Sequence, residues 1–301
     1  MAGSTHRTLP AEVGLLRVDG VDLPCRIVGS GPPILCSELP LNPLARLSGL
    51  QAQLAESYTV HLIDFRPLLG RPDPPAAGDL VTTLAEVSLR VLDALGLDRV
   101  AVLGTFMYAG VAMQMAITAP ARVSRLVLLG TLGTQRLPRT FWLRASTGLY
   151  RLPGFPVANR RRAVRWLLES IDHAVLGPLR MRELFADPAA APISLEDLYE
   201  QNKTPERADA AFTLMWCIRR LRCDEVAARA HAVTRPALLI HGEDDLWVPV
   251  AEARTLASRM PDARLIVIPG ARHAPELDRP EPTVAAVRTF LAADLPGASW
   301  P

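Results

Sequence analysis

The chain has 301 residues, a net charge of +2, 49% hydrophobic residues and 5% aromatic residues. That length allows a large aliphatic core, and the near-neutral charge excludes the basic footprint of a nucleic-acid or anionic-membrane binder. The four cysteines, Cys25, Cys36, Cys217 and Cys223, have no C-x-x-C spacing, and there is no apolar leader or run long enough to cross a bilayer, so a cytoplasmic protein with free thiols is expected.

Residues 12–18 and 21–28 flank Asp19-Gly20, a strong hairpin signal, and form the antiparallel opening of a sheet. Gly29-Ser30-Gly31-Pro32-Pro33 then turns the chain into a short apolar strand at 34–36, followed by Ser37-Glu38-Leu39-Pro40-Leu41-Asn42-Pro43. The next buried strand, 58–63, ends at Asp64-Phe65-Arg66. Asp79 caps a helix whose apolar positions Leu80, Leu84, Val87, Val91, Leu92 and Leu95 follow the helical period, and Gly96 ends it. Residues 99–129 read as strand, sharp turn, helix (111–119), a loop at Pro120 and a second strand (125–129).

From 131 to 234 the pattern changes to short amphipathic helices separated by Pro and Gly. That span is too long for a plain loop, and it predicts a helical cap inserted between sheet strands. The sheet resumes at 236–240 and runs into His241-Gly242-Glu243-Asp244-Asp245-Leu246-Trp247-Val248-Pro249. A strand at 263–268 leads to Pro269-Gly270-Ala271-Arg272-His273, and a helix at 281–291 follows. The alternation predicts an α/β fold: a mostly parallel central sheet flanked by helices, built from 1–130 and 235–301, with the cap at 131–234.

Three local patterns fall at the carboxyl ends of predicted strands, where open α/β sheets place their sites. Gly104-Thr105-Phe106-Met107-Tyr108 joins strand to helix. Gly242 to Asp245 has G-x-x-D spacing followed by Val248-Pro249. His273 is followed by Glu276 and Pro280. In this order they resemble the α/β-hydrolase superfamily, whose triad runs nucleophile, acid, histidine and whose nucleophile stands in a G-x-S-x-G elbow. The resemblance implies an α/β-hydrolase fold and an Asp245–His273 pair.

Phe106 stands where the nucleophile is expected, and a phenyl ring can neither attack a carbonyl nor take a proton. A slipped register with Thr105 as nucleophile shortens the strand and spoils the spacing to Pro120. Tyr108 replaces the second glycine, which predicts a relaxed turn. The His-Gly that in many hydrolases of this fold precedes the oxyanion loop is replaced by Ser37-Glu38-Leu39-Pro40. Proline supplies no N–H there, and an acidic side chain opposes a developing oxyanion.

The remaining histidines, His6, His61, His173, His231 and His241, show no metal-ligand spacing, and no dinucleotide fingerprint or P-loop is present; neither metal nor cofactor is expected. Three functions stay open: an enzyme that moves a proton without an acyl-enzyme, a binding protein on a hydrolase scaffold, and a hydrolase in which His273 and Asp245 activate water.

Phe106 with the altered oxyanion loop resembles one atypical group, the bottromycin peptide epimerase and its relatives. That resemblance implies conversion of an L-aspartate beside a thiazoline or thiazole to its D form, in a macrocyclic, azoline-containing peptide. The base is then His273 or the aspartate side chain of the substrate itself. Phe106, Met107 and Tyr108 are expected as floor and wall of the pocket. Ser37, Glu38 and Leu39 are expected from the altered loop, and Trp142, Trp216 and Trp247 from the aromatic surroundings of the cleft. Oligomeric state is left open.

Overall fold

In a computed structural model of the protein, residues 13–37, 48–69, 80–131, 177–189, 191, 196 and 223–293 are described. Eight strands form one sheet in the order β1-β2-β4-β3-β5-β6-β7-β8. They are β1 (Gly14–Val18), β2 (Val21–Val28), β3 (Pro33–Ser37), β4 (Thr59–Ile63), β5 (Val100–Thr105), β6 (Val123–Leu129), β7 (Ala237–Gly242) and β8 (Ala263–Ile268). β1 and β2 form the expected hairpin, with Asp19 and Gly20 both at positive φ (50° and 77°), and β2 also pairs antiparallel with β4; every other pairing is parallel. Two positive φ angles match the right-handed twist of a two-residue hairpin, which explains the Asp-Gly.

The helices are α1 (Gly49–Leu54), α2 (Arg66–Leu69), α3 (Leu80–Ala94), α4 (Met107–Thr118), α5 (Gly177–Leu184), α6 (Cys223–Ala228), α7 (Val250–Arg259), α8 (Pro275–Asp278) and α9 (Pro280–Ala292). The central strands are buried on both faces, so their residues alternate between two cores. Leu35, Val102, Leu126, Leu128 and Leu239 face a cluster shared with α3, α4 and α6. Ile34, Cys36, Leu103, Val127, Leu129 and Ile240 face a second cluster shared with α1 and α9. Helix α4 is buried almost all round because it lies against the sheet and α3 together, and it is correspondingly apolar on every face. Helix α1 opens on a capping box, Ser48 with Gln51.

From β3 the chain crosses to one side to make β4 and then to the other to make β5, which opens a crevice at the carboxyl end of β3. Ser37 and Gly104 are register partners there, two residues before Phe106. This is the switch point at which doubly wound sheets bind ligands. Most of the span expected as a cap, Trp142 and Trp216 included, lies outside the described residues, as do Glu38 and Leu39. Within that span, α5, α6 and a 3-10 turn at Ala230–Ala232 are helical.

Candidate active site

The elbow is strained, contrary to the relaxed turn expected from Tyr108. Phe106 has φ 51° and ψ −115°, a backbone region that costs a non-glycine residue about 1–3 kcal/mol and persists where its surroundings over-determine it. Two features hold it. The Phe106 amide donates to the Leu129 carbonyl at 2.9 Å, continuing the β5–β6 ladder. Helix α4 begins at the next residue, where Met107 places its N–H at the helix N-terminus without an intrahelical acceptor.

The close approach of helix to strand survives because Gly104 alone supplies it: a Cβ there would lie 2.4 Å from the Tyr108 carbonyl oxygen. The Tyr108 side chain lies instead against Phe65, ring centroids 6.1 Å apart, fully buried, and burial pushes its hydroxyl pKa up. Thr105 is the last residue of β5, paired with Leu129, so the slipped register does not hold.

Two loops from the next strands close on the elbow. Asp245 accepts from the backbone amides of Trp247 (2.7 Å) and Val248 (3.0 Å) on Oδ1, which folds the acid loop over its own carboxylate. Its Oδ2 accepts from His273 Nδ1 at 2.9 Å and lies 3.1 Å from His241 Nε2. Burial pushes the Asp245 carboxyl up, but the two imidazoles outweigh it and hold the group well below the usual carboxylate range.

His241 Nε2 also lies 2.7 Å from the Val248 carbonyl, which can only accept, so that nitrogen carries the proton. By the same logic His273 Nδ1 carries a proton toward Asp245, and in that tautomer Nε2 holds the lone pair. Among the described residues, no group of His, Cys, Asp and Glu could hold a metal ion.

Two glycines let the loops meet. A Cβ on Gly242 would lie 2.0 Å from the Arg272 carbonyl oxygen. Gly130, at φ 52°, lies under His273, where a Cβ would stand 2.6 Å from the His273 carbonyl oxygen and 3.4 Å from Cε1.

The imidazole of His273 is enclosed by aromatic rings. Phe106 meets it edge-on with centroids 5.0 Å apart, and Trp247 lies tilted across it at 4.4 Å; Phe106 and Trp247 are 5.5 Å from each other. His273 is only 5% exposed, and its Nε2 is buried without a hydrogen-bond partner. A serine in place of Phe106 would offer that lone pair a hydroxyl; the phenyl ring offers it nothing.

The structure therefore brings together Phe106, Asp245, His273 and Trp247, and adds His241, which sequence spacing did not single out. The Trp247 indole N–H donates to Glu183 Oε2 at 3.1 Å, a contact from α5 with no local sequence signal. Met107 and Tyr108 are buried behind the elbow, in the core cluster that also holds Phe106. Chemically, the arrangement holds an imidazole on a buried carboxylate with a phenyl ring against it at the elbow.

A family model described as alpha/beta hydrolase fold matches residues 44–280. The chain is 28% identical over 282 residues to a 2-hydroxymuconate semialdehyde hydrolase of Pseudomonas putida, covering 92% of this chain and 90% of that one. It is 31% identical over 224 residues to a pimeloyl-[acyl-carrier protein] methyl ester esterase of Aromatoleum aromaticum, covering 71% and 81%. The fold is similar to that of the solved 2-hydroxy-6-oxo-6-phenylhexa-2,4-dienoate hydrolase from Rhodococcus sp. strain RHA1. That match has TM-score 0.73 and 18% identity, covering 94% of this chain and 100% of that one.

Proposed function

The chain belongs to the α/β-hydrolase family, and from that premise we propose that it has left hydrolysis behind. It acts as a cofactor-independent epimerase on a modified peptide of the bottromycin type. Its reaction converts an L-aspartate next to a thiazoline or thiazole to D-aspartate. The observation that carries this reading is Phe106. It occupies the strained tip of the elbow at φ 51°, buried, with the Asp245–His273 pair assembled beside it and no hydroxyl or thiol at that position. The relatives named above are hydrolases, but an acyl-enzyme needs a nucleophile at the elbow, and a benzyl group is not one.

Proton transfer at carbon needs no such atom. A Cα–H beside an azoline C=N is acidified because the carbanion delocalises into the ring, so a modest, well-positioned base suffices. The buried, unpartnered Nε2 of His273, covered by Phe106 and Trp247, favours the substrate's own carboxylate as that base. The carboxylate takes the proton, the resulting anion is planar, and water returns a proton to the opposite face; the hydroxide so formed takes the proton from the carboxyl group, which regenerates the carboxylate and water. No bond to the protein forms and none breaks. The buried rings of Phe106 and Trp247 beside His273 shield the anion from water.

The test is incubation with an azoline-containing macrocyclic peptide, followed by acid hydrolysis and chiral analysis of its aspartate. Growth of D-aspartate in an otherwise intact peptide supports the epimerase. Bound peptide whose aspartate stays L would make this a binding protein, and a cleaved product would make it a hydrolase in which His273 and Asp245 activate water.

A further inference from the structure

Helix α5 and the turn after it are fastened to both loops that carry the Asp–His pair. On the acid-loop side, the Trp247 indole N–H donates to Glu183 Oε2 at 3.1 Å. On the histidine-loop side, Asp278 accepts from the amides of Ala186 (3.0 Å) and Arg272 (2.7 Å), and Arg272 Nη1 donates to the Phe185 carbonyl at 3.3 Å. Between them Met181, Leu184 and Phe185 are buried in the same core cluster as Phe106 and Trp247.

The indole is thus located by a carboxylate at each end. Asp245 holds its backbone amide and the imidazole beneath it, and Glu183 holds its ring N–H. Removing Glu183 takes a charge-assisted hydrogen bond from the indole N–H, and with it the restraint that keeps the ring tilted across His273. A wall fixed in one rotamer loses little entropy when a ligand packs on it, whereas a mobile wall must be ordered on binding.

We propose that Glu183 is a positioning residue for substrate recognition: through the indole N–H it fixes Trp247 as the cleft wall on the His273 side. It thereby sets the fit of the peptide macrocycle while leaving the proton-transfer step alone. The inference rests on the epimerase reading only for the identity of the substrate. Glu183 does not touch the reacting atoms, and its effect belongs in ground-state binding.

The experiment combines steady-state epimerisation of an azoline-containing macrocyclic peptide with tryptophan fluorescence of the peptide-free protein, taken as the difference from Trp247→Phe. Glu183→Ala is expected to raise KM about tenfold with kcat within about twofold, the size of one charge-assisted hydrogen bond, and to shift the Trp247 emission to the red. Glu183→Gln keeps a carbonyl acceptor and restores both readouts. Trp247→Phe reproduces the KM change, and the double variant is no worse than either single one. An unchanged KM, a loss in kcat without rescue by glutamine, or an unshifted emission would overturn the assignment. If the unsubstituted protein epimerises no peptide, the fluorescence shift and its glutamine rescue still decide the Glu183–Trp247 contact separately.

Discussion

A benzyl side chain at the tip of a strained elbow changes what its neighbours can do. With Phe106 replaced by serine, the hydroxyl would stand beside an imidazole whose Nδ1 is already tied to Asp245 at 2.9 Å. Phe106→Ser is therefore expected to react covalently with a fluorophosphonate probe, while the unsubstituted protein stays unlabelled. Adding His273→Ala should abolish that labelling. Failure of Phe106→Ser to label would mean that the pair is not in register with the elbow.

His273→Ala in the unsubstituted background should keep epimerisation within about tenfold, because removing a true general base costs ~10²–10⁴. A loss of that larger size, with peptide affinity unchanged, would make His273 the base. Asp245, His273 and Phe106 were legible in the sequence because each sits at a fixed offset from a strand end in a pattern the fold imposes. His241 and Glu183 were not. His241 lies four residues before the carboxylate it faces, with no motif to mark it, and Glu183 meets Trp247 only through tertiary packing, 64 residues away.

Among the elements, the loops after β7 and β8 depend on how closely their backbones approach. A Cβ on Gly242 would lie 2.0 Å from the Arg272 carbonyl and 2.4 Å from that of Ala271, both backbone atoms that cannot swing aside. Gly242→Ala is expected to lower unfolding stability by about 1–3 kcal/mol or more in urea melts, and to spread Asp245 from His273. An unchanged midpoint would show that the loops can part freely.

The strands were readable from sequence to within a residue or two, since buried parallel strands carry continuous apolar runs bounded by Gly, Pro and Asp. Helix α1 is not legible from hydrophobic period, because its six residues are too few to show one; its only sequence signal is the capping box of Ser48 and Gln51. The elbow departs from its sequence pattern for a physical reason. Tyr108 in place of the second glycine predicts a spoiled helix–strand approach, whereas Gly104 provides the space and the tyrosine ring turns toward Phe65.

At the scale of the whole molecule, the Asp245 cluster links site and stability. Its carboxyl, buried yet held below the usual range by His273 and His241, binds a proton less readily folded than unfolded. That stabilising contribution is complete above the unfolded carboxylate value near pH 4 and is lost as pH falls through the lower folded value. Asp245→Asn should flatten this acid limb of the stability–pH curve, as measured by denaturant midpoints between about pH 5 and 2. An unchanged limb would place the acid sensitivity in other carboxylates.

Function itself was less legible than fold, because a shared scaffold hosts unrelated chemistries and only the site discriminates among them. The central claim is that this scaffold moves a proton at carbon and forms no covalent intermediate. The measurement that tests it most directly is incubation of the protein with an azoline-containing macrocyclic peptide in D₂O, followed by tandem mass spectrometry. One deuterium at the aspartate Cα of an uncleaved peptide is the expected result. Peptide that binds yet returns with no deuterium, or returns cleaved, would contradict it.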